Sequence, residues 1–259
     1  MTGHRQPAVF AGHGSPLYAI EPNRYTSAWA SLGGSLRRPD AILVISAHWV
    51  TRGTWVTAMA KPKTIHDFGG FPQALFDIEY LAPGSPALAD RIQELLDIHV
   101  VLEEHEWGLD HGAWSVLKYL YPNADVPVVQ LSLDGSKTAQ EHYELAKQLR
   151  PLRNENILIL ASGNIVHNLR TIHWGEDASP YVWASQFNEF FIAEMLAAHH
   201  EPLIEWERYG DAAHLSIPTA EHYWPALYIL ALQEGGEHAK VVVNGLEMSS
   251  ISMLSFSIQ

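Results

Sequence analysis

The stretch Ala41-Ile42-Leu43-Val44-Ile45-Ser46-Ala47-His48-Trp49 decides the fold, because it joins an apolar strand pattern to a histidine. Five of its first six residues are β-branched or aliphatic and none is charged, which is typical of a strand covered on both faces inside a parallel sheet. The histidine comes at the C-terminal end of this run. In open α/β sheets, that edge is where ligands bind.

Two other apolar runs end in the same way. The run at residues 8–11 leads into a turn that carries His13, and the run at 157–161 leads into a turn that carries His167. His13 and His48 are 35 positions apart, and a βαβ unit needs roughly 30 or more residues. The spacing therefore predicts that neighbouring parallel strands deliver both side chains to one edge of the sheet.

The rest of the chain alternates between strand and helix patterns, which predicts an α/β fold. We expect one domain over residues 1–259, with a mixed, mostly parallel central sheet flanked by helices and an antiparallel edge. In the last predicted helix, from Ala220 toward Leu232, Thr219 is the expected N-cap and Pro225 should distort the first turns. Further strands are predicted at 54–60, 100–102, 126–133, 241–243 and 250–258, and further helices at 25–36, 86–96, 114–120, 138–149 and 180–199.

Composition and charge exclude several classes of protein. Hydrophobic residues make up 47% and charged residues 17% of the chain, so the composition is that of a folded protein. The net charge of −13 would repel nucleic acid and anionic membrane surfaces. Cysteine is absent, and no signal-peptide core or run of ~18 apolar residues is present. We therefore expect a cytoplasmic protein, and the sequence leaves its oligomeric state open.

The histidines carry the chemical signal. His13, His48 and His167 follow apolar strands, His222 lies in the first turn of a predicted helix, and His111 follows a turn. A single histidine at a strand end is more often a hydrogen-bonded loop residue, but three at equivalent edges favour a metal site, since neutral imidazole is the commonest metal ligand.

Neither of the two rival motifs is complete. The Gly12-His13-Gly14-Ser15 turn lacks the Gly-Lys-Ser/Thr ending of a phosphate-binding loop. Ser162 and His167 suggest acyl transfer, but the chain has no Gly-x-Ser-x-Gly elbow.

At these residues the sequence resembles the class III extradiol ring-cleaving dioxygenases of the LigB superfamily, and within it the DOPA 4,5-dioxygenase branch. The similarity extends over nearly the whole chain, so the resemblance implies a LigB-like fold. It rests on six ordered segments, at residues 12–16, 46–49, 66–72, 110–112, 162–169 and 218–222.

The resemblance implies a role for each histidine. His13 and His48 would be metal ligands, His167 the catalytic acid/base or a fourth group at the metal, and His111 a hydrogen-bond partner on the substrate side. The third ligand would be His222, although the wider superfamily uses a glutamate and Glu221 is adjacent. In a helix, neighbouring side chains diverge by about 100 degrees, so only one of the two should point at the metal.

The resemblance also implies a reaction. Fe2+ would be the active metal, and three imidazoles also suit Zn2+. The substrates would be O2 and a catechol such as L-DOPA, cleaved between carbons 4 and 5 to a yellow seco-DOPA semialdehyde that is the precursor of betalamic acid. Arg52, Arg170 and Tyr223 are candidates to meet a substrate carboxylate.

Two other functions remain open at this point. A zinc-dependent hydrolase would use the same three histidines, with His167 as the base for a metal-bound water. A non-catalytic metal-binding member of the same fold is the other alternative, and the presence of both His111 and His167 speaks against it.

Overall fold

The structure is a computed structural model that describes residues 5–103, 105–175 and 178–259. The strands are β1 (Ala8–Gly12), β2 (Ala41–Thr51), β3 (Thr54–Thr57), β4 (Val100–Glu103), β5 (Val128–Asp134), β6 (Ile157–Gly163), β7 (Ala239–Val243), β8 (Leu246–Glu247), β9 (Ile251–Ser252) and β10 (Ser255–Ile258). The α-helices are α1 (Arg24–Ser35), α2 (Gln73–Phe76), α3 (Pro86–Leu95), α4 (His111–Leu120), α5 (Ala139–Lys147), α6 (Arg150–Asn154), α7 (Val182–Leu196), α8 (Glu201–Ile204), α9 (Asp211–Ser216) and α10 (Trp224–Ala231). Short 3-10 segments lie at Pro16–Ala19, Leu169–Thr171 and Trp206–Tyr209.

Eight of these strands form one mixed sheet in the order β4-β3-β5-β2-β6-β1-β10-β7. The four central strands, from β5 to β1, are parallel to one another. Antiparallel pairing begins outside them, where β10 pairs with β1 and with β7 and where β3 pairs with β5. The predicted single α/β domain with a mostly parallel central sheet is confirmed. Within the described ranges, no helix is both long enough and apolar enough to cross a membrane.

The central strands are buried on both faces, which explains their continuous apolar runs. In β2, Leu43 and Ile45 point into one core, and Ile42 and Val44 point into the other. Helices α5 and α10 pack over the first face, while α1 and α4 cover the second. Because described helices cover both cores, the ends of the strands are where a ligand can meet the sheet.

The strand that carries His48 differs in two ways from the prediction. Strands β1 and β2 are not neighbours, because β6 lies between them and pairs with both. The crossover from β1 to β2 therefore skips one position, and spacing along the chain cannot show this. In addition, β2 continues past His48 to Thr51, and its register against β5 shifts between Ile45 and Val50.

The prediction for the segment around His222 was wrong in its local structure. Helix α10 begins only at Trp224, and Pro225 lies in its first turn, where a missing N–H costs nothing. Thr219 does not cap the helix, since its hydroxyl donates to Glu221 Oε1 at 2.8 Å. His222 therefore sits in a turn before the helix, and the helical argument for choosing between His222 and Glu221 does not apply.

Candidate metal centre

Three histidines from distant parts of the chain converge at the C-terminal edge of the sheet. Each of His13, His48 and His222 offers one ring nitrogen, and these nitrogens all lie within 4.8 Å of one another. The Nε2 atoms of His13 and His48 are 3.0 Å apart. Ring centroids are 4.9 Å apart for His13 and His48, 5.5 Å for His13 and His222, and 5.1 Å for His48 and His222.

The opposite nitrogen of each ring is held by another side chain. Nδ1 of His13 lies 2.9 Å from Ser162 Oγ, and Nδ1 of His222 lies 3.2 Å from Glu221 Oε1. Nδ1 of His48 lies 3.2 Å from Asp67 Oδ2. Partners of this kind fix the tautomer and the orientation of a metal-binding imidazole. They leave the three Nε2 lone pairs for a shared ion.

One of these nitrogens is a buried polar atom without a hydrogen-bond partner in the described part of the chain. This atom is Nε2 of His222. A buried polar atom without a partner costs free energy, and a cation placed among the three imidazoles would satisfy it. The residues therefore fit a divalent metal ion held by nitrogen ligands.

A glycine at the end of β6 allows the His222 turn to approach the sheet. A Cβ on Gly163 would lie 2.2 Å from the backbone oxygen of His222, so only glycine fits without a shift. The next residue, Asn164, donates its backbone N–H to that same oxygen at 2.9 Å. The position of His222 is thus set by the backbone of the strand between those that carry His13 and His48.

Burial keeps most of the cluster neutral. Burial lowers the pKa of His13 and that of His222 well below the ordinary value, and the neighbouring imidazoles add to the effect. Burial also disfavours charge on His48, but the hydrogen bond to Asp67 and the charges of Asp110 and Asp67 outweigh it and raise the pKa of His48. Because neutral imidazoles offer free lone pairs, this donor set suits a cation.

Asp67 joins His48 to a second imidazole, that of His111. Its Oδ1 lies 3.0 Å from Nδ1 of His111, without the alignment of a full hydrogen bond, and accepts the His111 backbone N–H at 2.9 Å. Burial opposes ionisation of Asp67, yet the contacts to His111 and His48 lower the pKa of this carboxyl well below its usual range. The rings of His48 and His111 are 3.9 Å apart between centroids.

Beneath this pair, a buried carboxylate fixes the start of α4. Asp110 caps the helix by accepting the backbone N–H of Ala113 at 3.1 Å, and it also accepts from Ser46 Oγ and Gln130 Nε2, each at 2.7 Å. These bonds satisfy the carboxylate in a site without solvent exposure. They tie α4, and with it His111, to strands β2 and β5.

His167 lies on the other side of the cluster. Its ring stacks on that of His222, with centroids 3.6 Å apart and planes inclined by 8°. Its backbone N–H donates to Ser216 O at 2.8 Å. Burial lowers the pKa of His167, and the negative charge of Glu221 offsets only part of this effect. The pKa is therefore about 4, and the imidazole is neutral at pH 7.

A cavity of about 380 Å³ opens over the histidines. All five imidazoles line it, and its described walls carry no Asp, Glu, Lys or Arg side chain. The remaining wall is mainly apolar and includes Phe68, Phe71, Leu169, Ile172, Trp174 and Met248. Such a space accepts a flat, uncharged ring with one edge against the imidazoles.

The structure therefore brings together His13, His48, His111, His167 and His222, which were singled out in the sequence. The Tyr223 hydroxyl donates to Leu203 O in the core, and Arg52 is exposed and does not line this cavity.

Sequence reasoning missed the partners Asp67 and Ser162. Asp67 stands within one of the segments that carry the resemblance, in a loop of glycines and aromatics, but nothing in its spacing identified it as a partner of two histidines. Ser162 was weighed only as a nucleophile, whereas it contacts His13.

Comparison with known proteins gives four findings. The family model "Catalytic LigB subunit of aromatic ring-opening dioxygenase" matches residues 12–253. The chain is 53% identical, over 100% of its own length and 96% of the relative, to a protein of Escherichia coli K12 named 4,5-DOPA dioxygenase extradiol. A Beta vulgaris protein of the same name is 37% identical, over 89% of this chain and 87% of the relative. A crystal structure of an uncharacterized protein from Escherichia coli K12 superposes with a TM-score of 0.86 at 48% identity, covering 98% of this chain and 100% of the other.

Proposed function

The chain belongs to the LigB family of aromatic ring-opening dioxygenases, and on that premise we propose that it is a 4,5-DOPA extradiol dioxygenase. The reaction would open the catechol ring of L-DOPA between carbons 4 and 5 with O2 and would yield the yellow seco-DOPA semialdehyde that precedes betalamic acid. Two relatives that cover most of the chain carry this activity in their names. We assign the whole reaction to one catalytic domain over residues 1–259, acting in the cytoplasm.

The observation that carries the proposal is the convergence of three imidazoles under an apolar cavity. His13, His48 and His222 present their nitrogens within 4.8 Å of one another, and the Nε2 of His222 lacks another partner in the described part of the chain. These three are the proposed ligands, with Fe2+ as the active metal and Zn2+ as an ion that the same site accepts. When bound, the metal supplies proximity and charge stabilisation for the catechol and O2.

The geometry favours an acid/base role over metal ligation for His167. The ring of His167 is stacked on that of His222, with centroids 3.6 Å apart. A ring nitrogen of His167 lies within 4.8 Å of Glu221 and His222, but His167 does not belong to the group formed by His13, His48 and His222, which would hold the metal. His167 instead stands beside the ligand set, where it can accept a proton from a substrate hydroxyl and return it later.

His111 is proposed to orient the substrate from the opposite side. Its ring lines the cavity beside His48, and Asp67 holds its Nδ1 edge. That leaves Nε2 to form a hydrogen bond with a catechol oxygen. The apolar walls exclude water from the ring, which strengthens these polar contacts.

The experiment is reconstitution with Fe2+ under anaerobic conditions, followed by L-DOPA and air. We expect a yellow product with one O2 consumed for each L-DOPA. In the His13→Gln variant, the rate of L-DOPA cleavage should fall by more than the ~10–100-fold that loss of a supporting partner of a metal ligand costs. The rate of His199→Gln, a change at an exposed histidine, should equal that of the wild type.

Three results would contradict the proposal in different ways. Iron-loaded protein that consumes no O2 with any catechol has no dioxygenase activity. Hydrolysis of an ester or amide without O2 uptake would support the zinc hydrolase. Tight metal binding without either reaction would indicate a non-catalytic member of the family.

A further inference from the structure

A second, smaller cavity adjoins the candidate metal centre. Its volume is about 240 Å³, and it shares three wall residues with the larger cavity: His167, Leu169 and His222. The stacked rings of His167 and His222 line both spaces, so the two cavities lie side by side.

The two cavities differ in charge. The larger one has no acidic or basic side chain among its described wall residues, whereas the smaller one contains Arg170, Glu221 and Thr219. A charged tail on the substrate would lie unpaired against the apolar wall of the first space. The smaller cavity offers such a tail one positive side chain, Arg170, and one negative side chain, Glu221.

The backbone holds Arg170 firmly at this place. It lies in the 3-10 segment Leu169–Thr171, whose N-cap Asn168 accepts the Arg170 backbone N–H at 3.1 Å. Asn168 is itself anchored, since its side-chain amide donates to Leu215 O at 2.8 Å and its backbone N–H to Ser250 O at 3.2 Å. The Arg170 side chain is exposed, and its guanidinium makes no ion pair or hydrogen bond with any other described residue. The backbone thus fixes where this cation emerges, and its donors have no partner within the described part of the chain.

The carboxylate of Glu221 is only partly engaged. Both contacts that it makes, with Thr219 Oγ1 and with His222 Nδ1, fall on Oε1. The second oxygen, Oε2, has no hydrogen bond within the described part of the chain. It remains able to accept from an ammonium group.

We propose that Arg170 and the free oxygen of Glu221 form a receptor for the zwitterionic α-amino acid head of the substrate. This inference rests on the proposed function, since it concerns the tail of the catechol that the metal centre would cleave. In L-DOPA, one methylene separates the ring from the carbon that bears the carboxylate and the ammonium. The guanidinium pairs with the carboxylate, and Glu221 Oε2 accepts from the ammonium. The site thus selects catechols with an amino acid tail.

The test compares four catechols on iron-loaded enzyme: L-DOPA, 3,4-dihydroxyphenylpropanoate, dopamine and 4-methylcatechol. In Arg170→Gln, the ratio of kcat/KM for L-DOPA to that for 4-methylcatechol should fall about 10- to 100-fold, as expected for one charge-assisted hydrogen bond. The fall should lie mainly in KM. The corresponding ratio for 3,4-dihydroxyphenylpropanoate should fall by a similar factor. The ratio for dopamine, which lacks the carboxylate, should not change. Arg170→Lys should recover part of the loss.

A binding measurement and a matched control complete the design. Calorimetric titration of anaerobic enzyme with L-DOPA should show the same weakening in Arg170→Gln without turnover. Arg52→Gln, at an exposed arginine outside both cavities, should match the wild type with every substrate.

The failures are distinguishable. Equal losses on all four catechols, or no loss on L-DOPA, would overturn the receptor and leave the dioxygenase proposal standing. Wild-type enzyme that cleaves none of the four would overturn both.

Discussion

Replacing Asp67 tests whether a carboxylate orients a metal-binding imidazole. Asp67 contacts His48 Nδ1 at 3.2 Å and His111 Nδ1 at 3.0 Å. Asp67→Asn keeps the shape of the side chain but removes its charge. Hydrogen bonds to charged groups contribute about 1.5–3 kcal/mol, and only the contact to His48 bears directly on the ion. We therefore expect the metal dissociation constant to rise about 10- to 100-fold.

The assay is competition for Zn2+ or Co2+ between the apoprotein and a chromophoric chelator. Ser162→Ala removes a neutral hydrogen-bond partner of His13, whereas Asp67→Asn removes a charged partner of His48. The metal dissociation constant of Ser162→Ala should therefore rise by only about 2- to 10-fold. Asp77→Asn, at an exposed aspartate near α2, should leave the affinity unchanged. Apoprotein melting temperatures check that each variant folds. A Zn2+ affinity of Asp67→Asn equal to that of Asp77→Asn would refute the orienting role.

Two further predictions concern stability. Burial lowers the pKa of His142, whose Nδ1 lies 3.1 Å from the Tyr228 hydroxyl, to about 4. The unfolded chain, with a pKa near 6.5, takes up the proton first as pH falls, so about 3 kcal/mol of stability is lost between pH 7 and pH 4. Urea unfolding should show this loss in the wild type. In His142→Gln, the fall in the free energy of unfolding between pH 7 and pH 4 should be about 3 kcal/mol smaller. An equal fall in both proteins would contradict the assigned role of His142. Gly163→Ala would press a Cβ against the His222 backbone oxygen. The free energy of unfolding should therefore fall by about 1–3 kcal/mol, and the amount of metal bound per chain should fall as well. Gly69→Ala, which meets open space, is the matched control, and identical behaviour of the two variants would remove the packing argument.

The core of the sheet could be predicted from sequence because complete burial leaves a pattern. The runs at 41–49 and 157–161 are apolar at every successive position up to their polar ends, and both became central parallel strands. The family was likewise identified from six ordered segments and is confirmed by the match over residues 12–253. In these cases the information lies in a continuous stretch of residues.

Strand order could not be predicted in the same way. The separation of 35 positions between His13 and His48 fits a βαβ unit whether or not another strand is later inserted between its two strands. That position is filled by β6, which is made more than a hundred residues later in the chain. Pairing between distant segments depends on the packing of the whole sheet.

Local ambiguity explains the misplaced start of α10. A proline within an apolar run is compatible with a distorted helix interior or with a first turn, and Pro225 occupies the first turn. The correction matters for the site, because His222 and Glu221 then lie in a turn and can contact each other. Glu221 supports the Nδ1 of His222, which is the role that the sequence could not assign.

The partners of the histidines were the least predictable part. Candidate ligands follow from residue type and strand ends, whereas a supporting carboxylate such as Asp67 is one of 29 acidic residues. Only the folded chain shows that its carboxylate contacts both His48 and His111.

The place of β1 in the sheet constrains when the protein can mature. This strand lies between β6 and β10, and Gly12 donates its backbone N–H to the hydroxyl of Ser255, 243 residues later. On the ribosome, His13 is the first of the five clustered histidines to be made, and almost the entire polypeptide must follow before its strand has both neighbours. The histidine cluster can therefore assemble only after nearly the whole chain has been made, and a chain that ended before β10 would leave β1 with a single neighbour.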